Sequence, residues 1–244
     1  MFYVSEADRK IVMKVSPVIN EPKQISNRKK VTAASIAGSA IGIATGITGV
    51  YAMAKKGNPA LGLKKLAYQE KDVLLIGASS VLGGLVGGLI ADNDKENIKP
   101  KLREASQQFV GNTLFPVSFI ALGNKLLEKT NFQLPKFKST SKIATTANVV
   151  LAGLPRILTT AVALASGSLI GNKLMNTVND KIYNEKVKHS VKPEDMLMQS
   201  DDICMATSLL FKNAPKISTI TNTILPATFL VAGAKSGMQQ KENC

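Results

Sequence analysis

Two stretches of the sequence carry the same polar residues and the same proline at the same spacing. Aligned without gaps, residues 110–125 and 220–235 are identical at Asn112/Asn222, Thr113/Thr223, Pro116/Pro226, Phe119/Phe229, Gly123/Gly233 and Lys125/Lys235. Because proline has no N–H, the carbonyl four residues before it loses its partner in a helix, and that residue is asparagine in both copies. The threonine hydroxyl in the same turn can bond freed backbone groups. The motif therefore predicts two kinked helices, each with a polar notch at its Asn-Thr turn.

The two notches admit two interpretations. As the walls of a path for a substrate or an ion, they would make the chain a transport or channel-like subunit. As kinks kept for helix packing, they would place Asn112 and Asn222 near lipid headgroups, and the sequence favours this second interpretation.

Arg156 is the only charged residue inside an apolar stretch of the sequence. A cation at mid-membrane depth is costly and often functional, which favours a place in the path or a lipid-headgroup contact. The alternative is that Pro155 breaks the helix, so that Arg156 reaches the membrane interface as an anchor. The sequence favours the anchor.

The chain lacks the residue sets on which most enzyme sites depend. It has one histidine and two cysteines, and no Walker loop, G-x-S-x-G, H-E-x-x-H or C-x-x-C motif. The run Asp92-Asn93-Asp94 begins like a calcium loop, but Asn97 and Arg103 stand where glycine and glutamate are needed. The sequence therefore predicts a non-enzymatic protein with no metal site and no cofactor.

Five long apolar stretches must position these residues. They are residues 31–54, 73–91, 105–124, 143–172 (predicted to break at Pro155-Arg156) and 217–234. The first, as a helix, is about 36 Å long, enough to cross a hydrocarbon layer about 30 Å thick. A soluble helical protein with buried central helices is the alternative, but the chain has few amphipathic helices to cover them. The sequence thus predicts an all-α, polytopic transmembrane helical bundle of about five spans (four to six).

Around this membrane domain, residues 31–235, lie a basic N-terminal segment over 1–30 and a tail over 236–244. Residues 173–216 are predicted to be a polar loop with amphipathic helices.

The charges of the loops predict the orientation. If the five spans alternate in direction, the loops on the N-terminal side hold more Lys and Arg than those on the other side, which favours a cytoplasmic N-terminus. The Lys- and Asn-rich, Trp-free composition points to a prokaryotic plasma (inner) membrane. The net charge of +14 lies in the loops and favours anionic phospholipid headgroups as partners, not nucleic acid.

Glycines recur every four residues in three of the stretches. They are Gly38, Gly42 and Gly46 in the first, Gly83, Gly84, Gly87 and Gly88 in the second, and Gly167 and Gly171 in the fourth. Residues four apart share a helix face, where glycine allows two backbones to approach closely in lipid. The partner helix belongs either to a second copy of the chain or to the same chain, and the sequence favours the same chain.

The repeated motif also predicts a duplicated helix pair, residues 73–125 and about 157–235, with the two copies running parallel. The predicted function is a non-enzymatic membrane scaffold or assembly subunit, whose partners are the bilayer, a second copy or another membrane protein. The alternatives are a transporter or channel-like subunit and, disfavoured because no acid–base set is visible, a lipid-modifying enzyme.

Overall fold

The computed structural model describes residues 21–59, 62, 66, 68–135, 137–138, 141–183 and 215–241. In the first helix the side chains are described from residue 27 onwards, and in the last helix from residue 224 onwards. Throughout these residues the chain is helical and no strand is present. The predicted all-α class is therefore confirmed. The basic segment before residue 21 and most of the connection between 60 and 67 lie outside the described residues, as does the stretch from 184 to 214.

Within the described residues, six α-helices form five continuous helical runs. They are α1 (Glu21–Gly57), α2 (Glu70–Ala91), α3 (Ile98–Ser106), α4 (Phe115–Thr130), α5 (Lys142–Val178) and α6 (Pro215–Met238). A 3₁₀ turn over Lys95–Asn97 precedes α3, a π-helical segment over Gln107–Leu114 joins α3 to α4, and a π turn over Asn179–Tyr183 extends α5. In this part of the chain, three helical segments are long and apolar enough to cross a membrane, namely Asn27–Gly57, Glu70–Ala91 and Leu151–Ile182.

Local side chains explain where several helices begin and end. Asp72 accepts a hydrogen bond from the Gln69 N–H (2.9 Å) at the start of α2, and Ser141 accepts one from the Ala144 N–H (3.2 Å) at the start of α5. Helix α4 ends at Asn131, whose φ of 48° lies in the left-handed region that asparagine tolerates. Each contact satisfies a backbone group that a helix end leaves without a partner.

Helices α1, α2 and α6 pack into one close unit, and the α3–α4 run lies against α2 and α6. Helix α1 is antiparallel to α2, because Gly38 faces Gly83 while Gly46 faces Ile76. Helix α6 is parallel to α2, because Gly84 faces Gly233 and, one turn further on both helices, Gly88 faces Gly237. Helix α5 lies at the periphery, against α4 and the π-helical segment.

The bundle has two ends, which we name after residues at the limits of α2. The Asp92 end holds the start of α1, the 92–97 turn, the end of α5 and the end of α6. The Glu70 end holds the opposite termini. Helix α5 therefore ends at the Asp92 end, whereas α6 begins at the Glu70 end.

This direction of α6 corrects the sequence prediction of five strictly alternating spans, which placed the tail opposite the 92–104 turn. The tail instead returns to that turn, where Lys241 N–H donates to Asn97 Oδ1 (2.9 Å). The predicted parallel relation of the two repeats is wrong as well, because α6 is antiparallel to the α3–α4 run. The physical reason is the small-residue face of α6, whose Gly233 and Gly237 lie against Gly84 and Gly88 of α2 with the two helices running in the same direction.

Two further expectations about proline are corrected. The predicted break at Pro155-Arg156 is absent, and α5 runs through Pro155 without interruption. The turns before Pro155 are held independently, by the Ser141 cap and by Asn148, whose amide bonds the Phe137 backbone at 2.7 and 3.0 Å. Pro226 likewise lies inside α6, whereas Pro116 follows the π-helical segment.

Large apolar side chains lie both inside the bundle and on its surface. Ile76, Ile120, Leu225 and Phe229 are buried in the hydrophobic core, and Ser35, Ser39 and Ser80 are fully buried beside them. On the outside, Ile41, Leu82, Ile90, Val162 and Leu169 are between 58% and 80% exposed. So many exposed aliphatic side chains are typical of a surface that contacts lipid or another protein.

Candidate functional site

The π-helical segment before Pro116 is the most unusual feature of the fold, and it contains two of the residues that the sequence singled out. Thr113 donates from Oγ1 to the Gln108 carbonyl, five residues earlier, at 3.0 Å. The Phe115 N–H also bonds five residues back, to Val110. The wider turn fits the proline, whose ring would clash with a carbonyl four residues before it. The predicted polar notch at Asn112 and Thr113 thus coincides with a π segment.

A line of polar side chains runs along this helical run at four-residue spacing. Asn112 Nδ2 donates to Gln108 Oε1 at 3.3 Å, and Gln108 Nε2 donates to Glu104 Oε1 at 2.7 Å. Gln108 is buried, and Glu104 and Asn112 are half-buried. The sequence analysis did not identify Glu104 or Gln108, although their spacing of four from Asn112 is visible in the sequence and places them on one helix face.

A second polar group, which we call the amide cluster, consists of Gln107, Asn172, Asn176 and Asn179. Gln107 Nε2 donates to Asn172 Oδ1 at 2.6 Å, which ties the π segment to α5. Within the described residues, Gln107 Oε1, Asn176 Oδ1 and both amide atoms of the fully buried Asn179 have no hydrogen-bond partner. A buried amide without a partner is costly, and internal water is the usual remedy where room exists. The amide cluster is therefore a polar seam between α3 and the end of α5.

The second copy of the motif does not mirror the first. Helix α6 passes through Pro226 as an ordinary α-helix, and the side chains of Asn222 and Thr223 lie outside the described residues. Thr228 Oγ1 donates to the Leu225 carbonyl at 2.8 Å within its own turn. The two notches therefore do not form a symmetric pair among the described residues.

Arg156 lies far from the π segment. Its Nη2 is 3.4 Å from Glu128 Oε1 at the Glu70 end of α4, and both side chains are partly exposed. Glu128 follows Asn112 by sixteen residues along a helical run, or roughly 24 Å. The structure therefore does not bring Arg156 together with Asn112, Thr113 and Pro116.

The nine glycines that the sequence singled out all face other helices of the same chain. A Cβ atom built at Gly38, Gly42, Gly83, Gly84, Gly87 or Gly88 would overlap backbone atoms of a neighbouring helix, and at Gly46, Gly167 and Gly171 it would come within 3.0 Å of such an atom. Contacts between helices of a single chain therefore account for all nine glycines.

Hydroxyl groups connect the helices at the centre of this close packing. Ser39 and Ser80 share a hydrogen bond of 2.9 Å between α1 and α2. Ser80 donates to the Phe229 carbonyl (2.6 Å), which leaves Ser39 as the donor of the shared bond or, in its other rotamer, a donor to the Leu230 carbonyl (3.1 Å). A helical carbonyl has a second lone pair, so it can accept from a serine hydroxyl in addition to the helical N–H. Sequence analysis missed this contact, because the two serines are unremarkable without the third helix.

The Asp92 end is closed by a buried ion pair. Lys101 Nζ lies 2.8 Å from Asp92 Oδ2, and the two side chains are 0% and 2% exposed. Lys101 also donates to the Gln239 carbonyl (2.9 Å), and Asn97 Nδ2 donates to Asp92 (3.0 Å). The ion pair therefore ties the tail of α6 to the α2–α3 turn.

The ionisation of Asp92 follows from these contacts. Burial alone would raise the pKa of its carboxyl, but the hydrogen bond and charge of Lys101, with the bonds from the Asp94 N–H and the Asn97 amide, hold the pKa below its ordinary value. Because Arg156 is the only charged residue inside the apolar stretches, the sequence offers no ion pair within them. This pair lies just outside α2, where folding, not sequence, brings the two charges together.

No protein-family model, curated protein or solved structure matches this chain.

Proposed function

We propose that the chain is a multi-pass membrane scaffold or assembly subunit without catalytic chemistry of its own. The observation that carries the proposal is the number of large aliphatic side chains that stay exposed, among them Ile41, Leu82, Ile90, Val162 and Leu169, along helices long enough to cross a bilayer. In this arrangement α1, α2 and α5 cross the membrane, together with the α3–α4 run that connects α2 to α5.

The orientation we propose places the Asp92 end in the cytoplasm of a prokaryotic cell. The basic N-terminal segment leads into this end, and Lys95, Lys99 and Lys241 lie at it. Cytoplasmic loops are enriched in Lys and Arg, and the tail after α6 contributes its lysine to the same end of the bundle.

Helix α5 is the surface we propose for assembly. Only 22% of its apolar stretch is buried, against 44% for α2, because within the described residues α5 packs mainly on the α3–α4 run. Val162 and Leu169 point away from that run and are 65% and 63% exposed. Ala163, one residue from Val162, is buried. A helix of another subunit, or of a second copy, has room to pack on this exposed face.

Photocrosslinking tests the assembly role. A photoreactive side chain at Val162 or Leu169, activated in native membranes, is expected to give one protein adduct of the same discrete mass at both positions. The matched control is Ala163, which faces α4 and is expected to crosslink within the chain. Lipid adducts alone at Val162 and Leu169 would contradict a scaffold role while leaving the membrane location intact.

A second candidate function, a transport or channel-like subunit, is favoured by the unpartnered amide groups beside the π segment. Amide side chains facing internal water are found along transport paths. If the seam conducts, replacing Asn179 by Leu should reduce solute or ion flux in proteoliposomes at least tenfold, while Asn148→Leu, at the opposite end of α5, should not. Equal flux in the protein-containing and empty vesicles would rule this function out.

A further inference from the structure

A cleft opens at the Glu70 end between the last turn of α4, the connection that follows it and the first half of α5. Its volume is about 370 Å³. Its lining includes Glu128, Asn131, Phe132, Gln133, Arg156 and Ile157. The long apolar stretch of α5 begins at Leu151, so the cleft lies where that stretch meets the polar end of the bundle. This position corresponds to the interface of a bilayer in the proposed function, on which the inference rests.

The cleft contains one cation and one anion. Arg156 Nη2 and Glu128 Oε1 are 3.4 Å apart, longer than the 2.7–2.9 Å of a strong charge-assisted bond. Their side chains are 36% and 68% exposed, so both remain accessible to a ligand. Arg156 has five N–H donors and Glu128 has two acceptor oxygens, of which this contact uses one each. A ligand with both a negative and a positive group complements the pair.

The rest of the lining is divided by polarity. Asn131 and Gln133, on the connection, offer amide groups at the polar side. Phe132 and Ile157 offer apolar surface, and exposed aliphatic side chains continue from the cleft along both helices towards the centre of the apolar stretch. These are Leu122 and Leu126 on α4 and Leu158 and Val162 on α5. A ligand with a small dipolar head and apolar chains fits both parts.

We propose that this cleft binds the headgroup of a zwitterionic phospholipid that carries a primary ammonium, such as phosphatidylethanolamine. The phosphate accepts hydrogen bonds from the Arg156 guanidinium, and the ammonium donates to the Glu128 carboxylate. An anionic headgroup such as phosphatidylglycerol offers Glu128 only neutral hydroxyl donors, whereas an ammonium forms the stronger charge-assisted hydrogen bond. A choline headgroup has no N–H to donate. The cleft is thus selective within the membrane, whereas the overall positive charge attracts anionic lipids in general.

The test is a lipid competition in nanodiscs that contain equal amounts of phosphatidylethanolamine, phosphatidylcholine and phosphatidylglycerol. The protein is then extracted in detergent, and the amount of each lipid retained per protein is measured. The wild-type chain is expected to retain phosphatidylethanolamine about tenfold over phosphatidylcholine, as one charged hydrogen bond would give. Glu128→Gln should abolish this preference, and Arg156→Gln should lower retention of both lipids. Lys129→Gln, an exposed cation outside the cleft lining, should change neither.

Three results would overturn the inference. One is equal retention of all three lipids by the wild-type chain, a result that does not depend on any variant folding. Another is an unchanged preference in Glu128→Gln. The third is binding of O-phosphoethanolamine to the solubilised chain as tightly as phosphatidylethanolamine, which would show that the acyl chains contribute nothing and would make the cleft a site for a soluble phosphoamine. Failure of the chain to enter nanodiscs at all would instead contradict the proposed membrane function.

Discussion

Replacing Gly42 by alanine is expected to lower the free energy of unfolding by about 1 to 3 kcal/mol, the cost of overpacking a close interface. The added Cβ would overlap the Ser79 carbonyl group and lie 3.2 Å from the Ser80 Cα. These are backbone atoms of α2, which cannot rotate away as a side chain can. Alanine gains about 1 kcal/mol of helix propensity over glycine, so the clash must exceed that gain for the sign to be destabilising.

Gly49, on the same helix, is the matched control. A Cβ built there would meet only the Leu75 Cδ2, at an ordinary contact distance of 3.7 Å. Gly49→Ala is therefore expected to leave stability unchanged or raise it by up to about 1 kcal/mol. The measurement is the unfolding midpoint of both variants in mild detergent, followed by circular dichroism. If both variants shift equally in the same direction, then α1 and α2 do not touch at Gly42 as described.

Replacing Lys101 by methionine is expected to destabilise the chain by about 3 to 5 kcal/mol, because it leaves the Asp92 carboxylate buried without its partner. The tail also loses the bond from Lys101 Nζ to the Gln239 carbonyl. Unfolding midpoints report the first effect, and protease cleavage after residue 238 reports the second. The double variant Lys101→Met/Asp92→Asn should recover part of the loss, since no charge then remains buried.

The exposed ion pair of the same tail provides the control. Lys241 Nζ lies 2.9 Å from Glu96 Oε2, and the two side chains are 60% and 68% exposed. Because exposed pairs contribute little, Lys241→Gln should cost less than about 1 kcal/mol. Equal losses in Lys101→Met and Lys241→Gln would mean that the Lys101–Asp92 pair is not the buried contact described.

Acid should reproduce the loss of this pair in the wild-type chain. The pKa of Asp92 is held below its ordinary value of 3.8 in the folded chain. Its contribution to stability is therefore fully present above that value, and it is lost as the pH falls through the lower, folded pKa. The Asp92→Asn variant should lack this component of the acid dependence, which unfolding midpoints from neutral pH down to about pH 2 would reveal.

Local sequence patterns determined a large part of the fold. Uncharged stretches marked three long apolar helices, which lie close to the predicted 31–54, 73–91 and 143–172. Pro116 predicted a disturbance at the Asn112–Thr113 turn, because the missing N–H is a property of the residue itself. The helices of the structure begin or end several residues away from the predicted boundaries. The reason is that a helix continues beyond its apolar region wherever a polar side chain satisfies the backbone groups at its end.

Tertiary structure alone decided the direction of α6, the burial of Lys101 and the separation of Arg156 from Asn112. A charge pattern in the sequence assigns Lys101 to an exposed loop, and only the return of the tail to the 92–97 turn removes it from water. The repeated motif suggested two equivalent helices, yet one is preceded by a π segment and the other is a regular helix. The reason is that periodicity and proline chemistry act within a few turns of one helix, whereas contacts such as Gly84 with Gly233 depend on which surfaces fit when separate helices meet.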